Sequence, residues 1–149
     1  MNFKTDINFR KQTLVKLLIS VQKHEEEIIK ALYDDFKKPV FEAVVSETAY
    51  IVSELNHTIK NINKWAKPNM VLPSLLNFPS TDYIYKEPYG KALIIAPWNY
   101  PYQLALCPLI AAVAAGNQVV VKPSELTPNT SSIVAKIISE TFDENHVKC

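Results

Sequence analysis

Two short turns in the second half of the chain hold the residue types that could do chemistry. Asn99 ends the run Ala96-Pro97-Trp98-Asn99, and Lys122 opens the run Lys122-Pro123-Ser124-Glu125. Each run follows an apolar stretch with strand character, Ala92-Leu93-Ile94-Ile95-Ala96 and Val119-Val120-Val121. If those strands are parallel neighbours, both turns open at one edge of one sheet. Open α/β sheets bind ligands there, outside the carboxyl ends of their strands. The carboxamide of Asn99 can donate its NH2 to a developing oxyanion, a contribution of about 2.7–4 kcal/mol per donor in known cases. It carries no charge, so it does this without titrating. The same residue could instead cap the helix that starts near Pro101. Lys122 can offer N–H donors to ribose hydroxyls or to phosphate, or it can be a solvated charge at a strand end. Glu125 can accept from ribose hydroxyls and repel a 2′-phosphate, or it can be an ordinary carboxylate leading a helix.

The remaining reactive types point elsewhere. Cys107 lies in the apolar run Leu104-Ala105-Leu106-Cys107 and reads as a packed core thiol, and Cys149 is the last residue. With these two cysteines alone, no disulfide framework is expected, and a reducing cytosol is the default location. His24, His57 and His146 are scattered without metal spacing, so no metal site is expected. Glu25-Glu26-Glu27 reads as a solvated helix face. Tyr83, Tyr85 and Tyr89 could form an aromatic contact on a strand edge, and core or interface packing is expected for them over a substrate role. Gly90 and Gly116 are the only glycines, and neither G-x-G-x-x-G nor G-x-x-x-x-G-K-[ST] occurs. Any cofactor site within these residues is therefore partial or of another type.

The elements that must position the two turns follow from periodicity. Leu14, Leu17, Leu18 and Val21 repeat at helical spacing, as do Ile28, Ala31, Leu32 and Phe36. The charged run Lys23 to Glu27 predicts a break between two packed helices, and Asp35, Lys37, Lys38 and Pro39 close the second. A third helix is predicted from Pro39 to Trp65, with Val44, Thr48, Ile51, Leu55, Ile59 and Ile62 as its buried stripe. Pro68, Pro73 and Pro79 mark residues 66–80 as a loop. Alternation over Thr81–Lys86 predicts a half-buried strand, and the unbroken apolar run Ala92–Ala96 a strand covered on both faces. Pro101 suits a first helical turn; the helix it opens should bend at Pro108 and end at Gly116. Thr127 and Pro128 open a further helix as N-cap and first residue, with Val134, Ile137, Ile138 and Phe142 on its core face. Val147-Lys148-Cys149 could begin a third strand. The fold class expected is α/β: N-terminal helices and a Pro-rich loop over 1–80, then over 81–149 the first strands and helices of a Rossmann-like parallel sheet, incomplete as a domain.

Composition bounds the function classes. The chain has 149 residues, 48% hydrophobic and 21% charged, which is globular usage. A formal charge of +1 supplies no basic face, so nucleic acid is not an expected partner. No apolar stretch is long enough for a membrane span. Met1-Asn2-Phe3-Lys4-Thr5-Asp6 has no apolar core of a signal peptide.

Residues 87–125, from Glu-Pro-Tyr-Gly through Pro-Trp-Asn-Tyr-Pro to Lys-Pro-Ser-Glu, resemble the start of the nucleotide-binding domain of aldehyde dehydrogenases. The Trp-Asn-Tyr-Pro form with a short N-terminal arm is most similar to the class 3-like branch. The resemblance implies an NAD(P)-dependent oxidation of an aldehyde to a carboxylic acid. In that family a cysteine thiolate attacks the aldehyde, and the oxyanion is held by an asparagine side chain and the cysteine's own N–H. Asn99 would take the asparagine's place. Ile95, Ala96, Pro97 and Trp98 would line the nicotinamide side of the cleft. Lys122 and Glu125, with Ser124 between them, would hold the adenosine ribose. NAD is the expected cofactor, with NADP possible. The family's nucleophile in a Gly-Gln-x-Cys context, its general base in Glu-Leu-Gly-Gly and its Gly-Ser turn toward the pyrophosphate do not occur in this sequence. The chain alone is therefore expected to be inactive, a part of a larger enzyme that would form a homodimer. A non-catalytic remnant or interaction module, or a fragment of an acyl-CoA or acyl-phosphate reductase, remain as alternatives.

Overall fold

A computed structural model describes residues 6–149. The reading of Met1–Thr5 as part of a chain start without a signal peptide lies outside the described residues. Helix α1 (Ile7–Lys23) is capped by Asp6, whose carboxylate accepts from Phe9 N at 3.0 Å. It stops at His24, which also begins α2 (Glu25–Phe36). The charged run therefore does break the helix. Its three glutamates lie in the first turn of α2, where the helix dipole favours anions. Lys37 takes the left-handed conformation (φ 58°) and ends α2 ahead of Pro39.

The span from Pro39 to Trp65 is helical as expected, but in three pieces. These are α3 (Val40–Ala43), a π-helical turn (Val44–Thr48) and α4 (Ala49–Trp65). Thr48, Ile51, Leu55 and Ile62 of the expected stripe are buried, whereas Val44 and Ile59 are half-buried. A π turn adds one residue to the ring closed by each hydrogen bond. No propensity or period announces it in the sequence.

Two expectations for the middle of the chain need correction. The presumed loop 66–80 contains a strand, β1 (Asn69–Val71), paired antiparallel with β2 (Asp82–Ile84), and a short 3-10 turn (Leu75–Asn77). The strand expected over Thr81–Lys86 is shorter and not half-buried, for Tyr83 and Ile84 are both exposed. Its alternation has no core to face, because the pair stands as a two-stranded ribbon.

The second half builds a parallel sheet of β3 (Lys91–Ile95), β4 (Gln118–Lys122) and β5 (Val147–Lys148), in the order β3-β4-β5. Helix α5 (Pro101–Ala115) connects the first two strands and α6 (Pro128–Thr141) the last two. Gly116 ends α5 at φ 90°, and a Cβ there would lie 2.6 Å from the Arg10 guanidinium carbon. The positive φ favours glycine, and any Cβ would also push the Arg10 side chain aside. The expectation that β3 is covered on both faces is wrong. Ile94, Val119, Val121 and Val147 are buried, but Leu93, Ile95 and Val120 are 64%, 67% and 49% exposed. Both crossovers advance in the same direction along the sheet, so both helices come to lie on one face.

The N-terminal helices pack onto α5 and α6 and close one core with them. They also supply the ends of those helices. Arg10 of α1 donates from Nη1 to the carbonyl of Ala114 in the last turn of α5 (3.3 Å), a favourable place for a cation. Thr127 and Pro128 stand at the start of α6 as expected, but the Thr127 hydroxyl donates to Ser124 O and makes no cap bond. Asp35 of α2 caps α6 instead. Its carboxylate accepts from Asn129 N (3.2 Å), Asn129 Nδ2 (2.8 Å), Thr130 N (2.8 Å) and Thr130 Oγ1 (2.7 Å).

Burial alone would raise the Asp35 pKa; the hydrogen bonds from Thr130 and Asn129 together outweigh it and hold the carboxyl below its ordinary value of 3.8. A lowered carboxyl pKa stabilises the fold above the unfolded value, and that contribution is lost as pH falls through the folded value. Asp35→Ala should therefore cost about 1 kcal/mol at pH 7, read as a lower urea midpoint. The gap from the parent chain should close as pH is taken below about 3.8. A gap that persists at low pH would show that Asp35 acts through packing and not as a charged cap.

Candidate active site

The turns after β3 and β4 lie side by side. Ile95 is opposite Lys122 in the parallel register, and Ala96 N donates to Lys122 O at 3.0 Å. The first residue of one turn is thus bonded to the first residue of the other, at the carboxyl edge of the sheet. Ile95 and Lys122 share the uncovered face, while Ala96 is buried. Pro97, Trp98 and Asn99 are exposed, Trp98 at 55%.

Asn99 does not cap the following helix. The N-cap of α5 is Tyr100, which makes no side-chain cap bond. The orphan N–H groups go to Glu47, in the π turn: Tyr102 N and Gln103 N donate to its Oε2 at 2.9 and 3.1 Å. Glu47 is fully buried, and its other oxygen accepts from the Lys38 ammonium, itself 7% exposed. Lys38 Nζ also lies 4.7 Å from the centre of the Tyr100 ring. Tyr102 is fully buried beside this pair, and burial first, then the charges of Glu47 and Glu25, push its phenol far above the ordinary range. The Asn99 carboxamide has no hydrogen-bond partner among the described residues and stays open to an incoming group.

On the second turn, Lys122 Nζ pairs with Glu125 Oε2 at 2.6 Å, and both side chains are exposed. The hydrogen bond from Lys122, followed by one from Glu125's own backbone and by the lysine's charge, holds the Glu125 carboxyl below its ordinary value. Ser124 differs from the other expected ligands. It is buried, and its hydroxyl accepts from Leu126 N at 3.3 Å. Its carbonyl accepts from the hydroxyls of Thr127 (3.3 Å) and Ser131 (2.7 Å). The serine shapes the turn that presents its neighbours.

Sequence reasoning missed Glu47 and Lys38. A signal for Glu47 was present: it stands three residues after Val44 and four before Ile51, a charged residue in line with an apolar stripe. Such a residue must find a partner once buried. Cys107 is half-buried, and burial, with the charge of Glu54 second, raises its thiol pKa against a hydrogen bond from Tyr50. A raised pKa favours the neutral thiol over the thiolate that nucleophilic attack needs. Among the described residues no cluster of His, Cys, Asp or Glu suits a metal, and no helix is long and apolar enough to cross a membrane. A cavity of about 780 Å³ lies between α1, α4, α5 and Lys86–Pro88, at the end of α5 remote from Asn99. None of the residues of the two turns lines it.

Comparison with known proteins places the chain in a family. The model of the Aldehyde dehydrogenase family matches residues 3–148, and the chain belongs to that family. It is 45% identical over 143 residues to 4,4'-diaponeurosporen-aldehyde dehydrogenase of Staphylococcus aureus, a match covering 96% of this chain and 31% of that protein. It is 39% identical over 140 residues to aldehyde dehydrogenase family 3 member H1 of Arabidopsis thaliana, covering 94% of this chain and 29% of the relative. The solved substrate-bound state of Staphylococcus aureus AldH superposes with a TM-score of 0.94 at 44% identity, over 98% of this chain and 32% of that one. A succinic semialdehyde dehydrogenase from Streptococcus pyogenes, solved with NADP+, shares the fold at 16% identity and a TM-score of 0.84, over 97% of this chain and 31% of its own. The chain thus spans about a third of the length of the proteins it matches, and it matches the N-terminal part of the 3-like branch of the family.

The chemistry of Cys107 can be checked directly. At pH 7 its alkylation by iodoacetamide, followed by mass spectrometry, should be slower than that of a free thiol, since the thiolate is the reacting form. Fast labelling at Cys107 would place a thiolate there and reopen it as a nucleophile.

Proposed function

We propose that this chain supplies the oxyanion donor and the adenosine-side contacts of an NAD(P)-dependent aldehyde dehydrogenase that oxidises an aldehyde to its carboxylic acid. The observation that carries the proposal is the unbonded Asn99 carboxamide at the edge of the sheet, beside a strand that ends in Lys122 and Glu125. When an aldehyde carbonyl is attacked, charge builds on its oxygen. Asn99 Nδ2 would donate to that oxygen, and a donor fixed before the reaction stabilises the transition state without reorganising. Ile95, Ala96, Pro97 and Trp98 would wall the nicotinamide side. The ribose fits the second turn, for an ammonium and a carboxylate 2.6 Å apart offer one donor and one acceptor to neighbouring hydroxyls. Ser124 would act by shaping that turn.

Bound NAD(P) supplies the hydride acceptor. Glu125 would disfavour a 2′-phosphate, so NAD is the preferred form, with NADP also accepted. The attacking thiol and the base that activates water are not among these residues, so the chain alone lacks turnover. The substrate is a medium- or long-chain aliphatic aldehyde or an aromatic one. The location is the cytoplasm and the assembled state a homodimer of the whole enzyme, with no role for nucleic acid. The exposed apolar face of β3 and β4 (Leu93, Ile95, Val120) favours one second reading, a non-catalytic interaction module. Light scattering after size exclusion tests it, and a stable monomer counts against it.

The purified 149-residue chain should give no aldehyde-dependent NADH, whereas robust turnover by a homogeneous preparation would overturn the proposed division of labour. Calorimetry with NAD should show weak binding that Lys122→Ala abolishes; equal heats from both proteins would remove Lys122 from the cofactor site.

A further inference from the structure

The Lys38–Glu47 pair has no part in the chemistry just described, yet it is the most deeply buried ion pair among the described residues. We propose that Lys38 and Glu47 are positioning residues for the oxyanion donor: by capping α5 from outside, they release Asn99 from that task and fix the backbone that carries it. The inference rests on the reading of Asn99 given above.

A helix start leaves N–H groups that need acceptors. A short polar side chain at the N-cap often supplies one, but the N-cap of α5 is Tyr100, which makes no side-chain cap bond, and the nearest such side chain is that of Asn99, one residue earlier. At α5 those N–H groups belong to Tyr102 and Gln103, and both already donate to Glu47 Oε2. A capping Asn99 would turn its carboxamide back toward the helix, away from any substrate. With the position filled by a carboxylate from another element, that conformation gains nothing. Lys38 adds two effects. It neutralises a carboxylate that would otherwise be buried alone, and its ammonium lies over the ring of Tyr100, the residue between Asn99 and the helix. Tyr100, Tyr102 and Gln103 are thus each held from α2's end or the π turn. The backbone that follows Asn99 is held, while the Asn99 carboxamide makes no hydrogen bond among the described residues.

The π turn makes this possible. Glu47 lies in the middle of Val44–Thr48, where the chain departs from the α-helical register and turns the carboxylate under the start of α5 while Thr48 and Ile51 stay in the core. Local π insertions in helices are often found at functional sites.

The test is a double-mutant cycle in the full-length protein with saturating NAD and an aliphatic aldehyde. Removing one member of a buried pair strands the other, so both are replaced together. Lys38→Met with Glu47→Leu deletes the pair and the cap, and Lys38→Met with Glu47→Gln keeps an uncharged acceptor for the two N–H groups. Deleting the cap should lower kcat about ten- to a hundredfold, since misplacing a catalytic group by about 1 Å costs on that order. The KM for NAD should stay within about twofold, because the cofactor does not depend on the Asn99 donor. The glutamine variant should recover most of kcat. In an Asn99→Ala background the cap deletion should lower kcat by less than about threefold, since residues acting through one group are not additive.

Equal losses in both backgrounds, or an unchanged kcat without the cap, would overturn the positioning role while leaving Asn99 as the oxyanion donor. An Asn99→Ala variant with unaltered kcat would remove the proposed function, and this inference with it. If the leucine variant does not fold, Lys38→Met with Glu47→Met, which also removes the acceptor but keeps more of the side-chain volume, makes the same comparison in the two Asn99 backgrounds: a loss confined to the Asn99 parent supports positioning, and an equal loss in both, or no loss in either, overturns it.

Discussion

The α/β part of this chain depends on charges it does not own. Each crossover helix begins and ends with backbone groups that have no partner inside the helix, and the N-terminal helices provide those partners. Glu47 takes the first N–H groups of α5, Arg10 takes a carbonyl at its far end, and Asp35 takes the first N–H groups of α6. The signs follow the helix dipole in every case, anions at the starts and a cation at the end. Of the three, Glu47 is the most constrained, having no solvent exposure. Stranding one member of such a pair costs about 3–5 kcal/mol, so Lys38 is as much a condition of the arrangement as Glu47 itself. The helical half is therefore part of the construction of the sheet's edge.

What could be read from the sequence was whatever is decided locally. The break at His24, the proline that opens α5, the left-handed glycine that closes it and the Thr127-Pro128 start of α6 are settled within a few residues of themselves. So are the two parallel strands and the turns that follow them. The long-range partners were invisible for a matching reason: Asp35 and Asn129 are 94 residues apart, and neither carries a local mark of the other. Asp35 reads in sequence as the tail of α2, and serves in space as the head of α6. The coverage of β3 misled for another reason. An apolar run reports the chain's composition, not which layers are present around it, and α5 and α6 both lie on the other side of the sheet.

The candidate site was legible to a similar degree. The types and spacing of Asn99, Lys122 and Glu125 brought both turns to one edge, and the bond from Ala96 N to Lys122 O joins those turns directly. The choice between capping and an open carboxamide at Asn99 could not be made from its own neighbours, because the answer lies with a residue 52 positions earlier in the chain. Ser124 shows the converse. Its place in the Lys-Pro-Ser-Glu run suggests a ligand, but its hydroxyl and carbonyl are bound into the turn.

The two ion pairs near the sheet edge divide rigidity from adaptability. Lys38–Glu47 is dry and tied to backbone N–H groups, so any displacement breaks several bonds at once and exposes none of them to water. Lys122–Glu125 is solvated on both sides. Water can replace each partner as the side chains part, so exchanging their mutual contact for bonds to hydroxyl groups of a ligand requires little reorganisation. A group that must meet a fleeting negative charge benefits from being held before the charge appears. A group that must admit and release a cofactor in each cycle benefits from a partner it can leave. The structure puts the buried pair under the turn of Asn99 and the solvated pair on the turn of Lys122, the distribution that the two proposed tasks would call for.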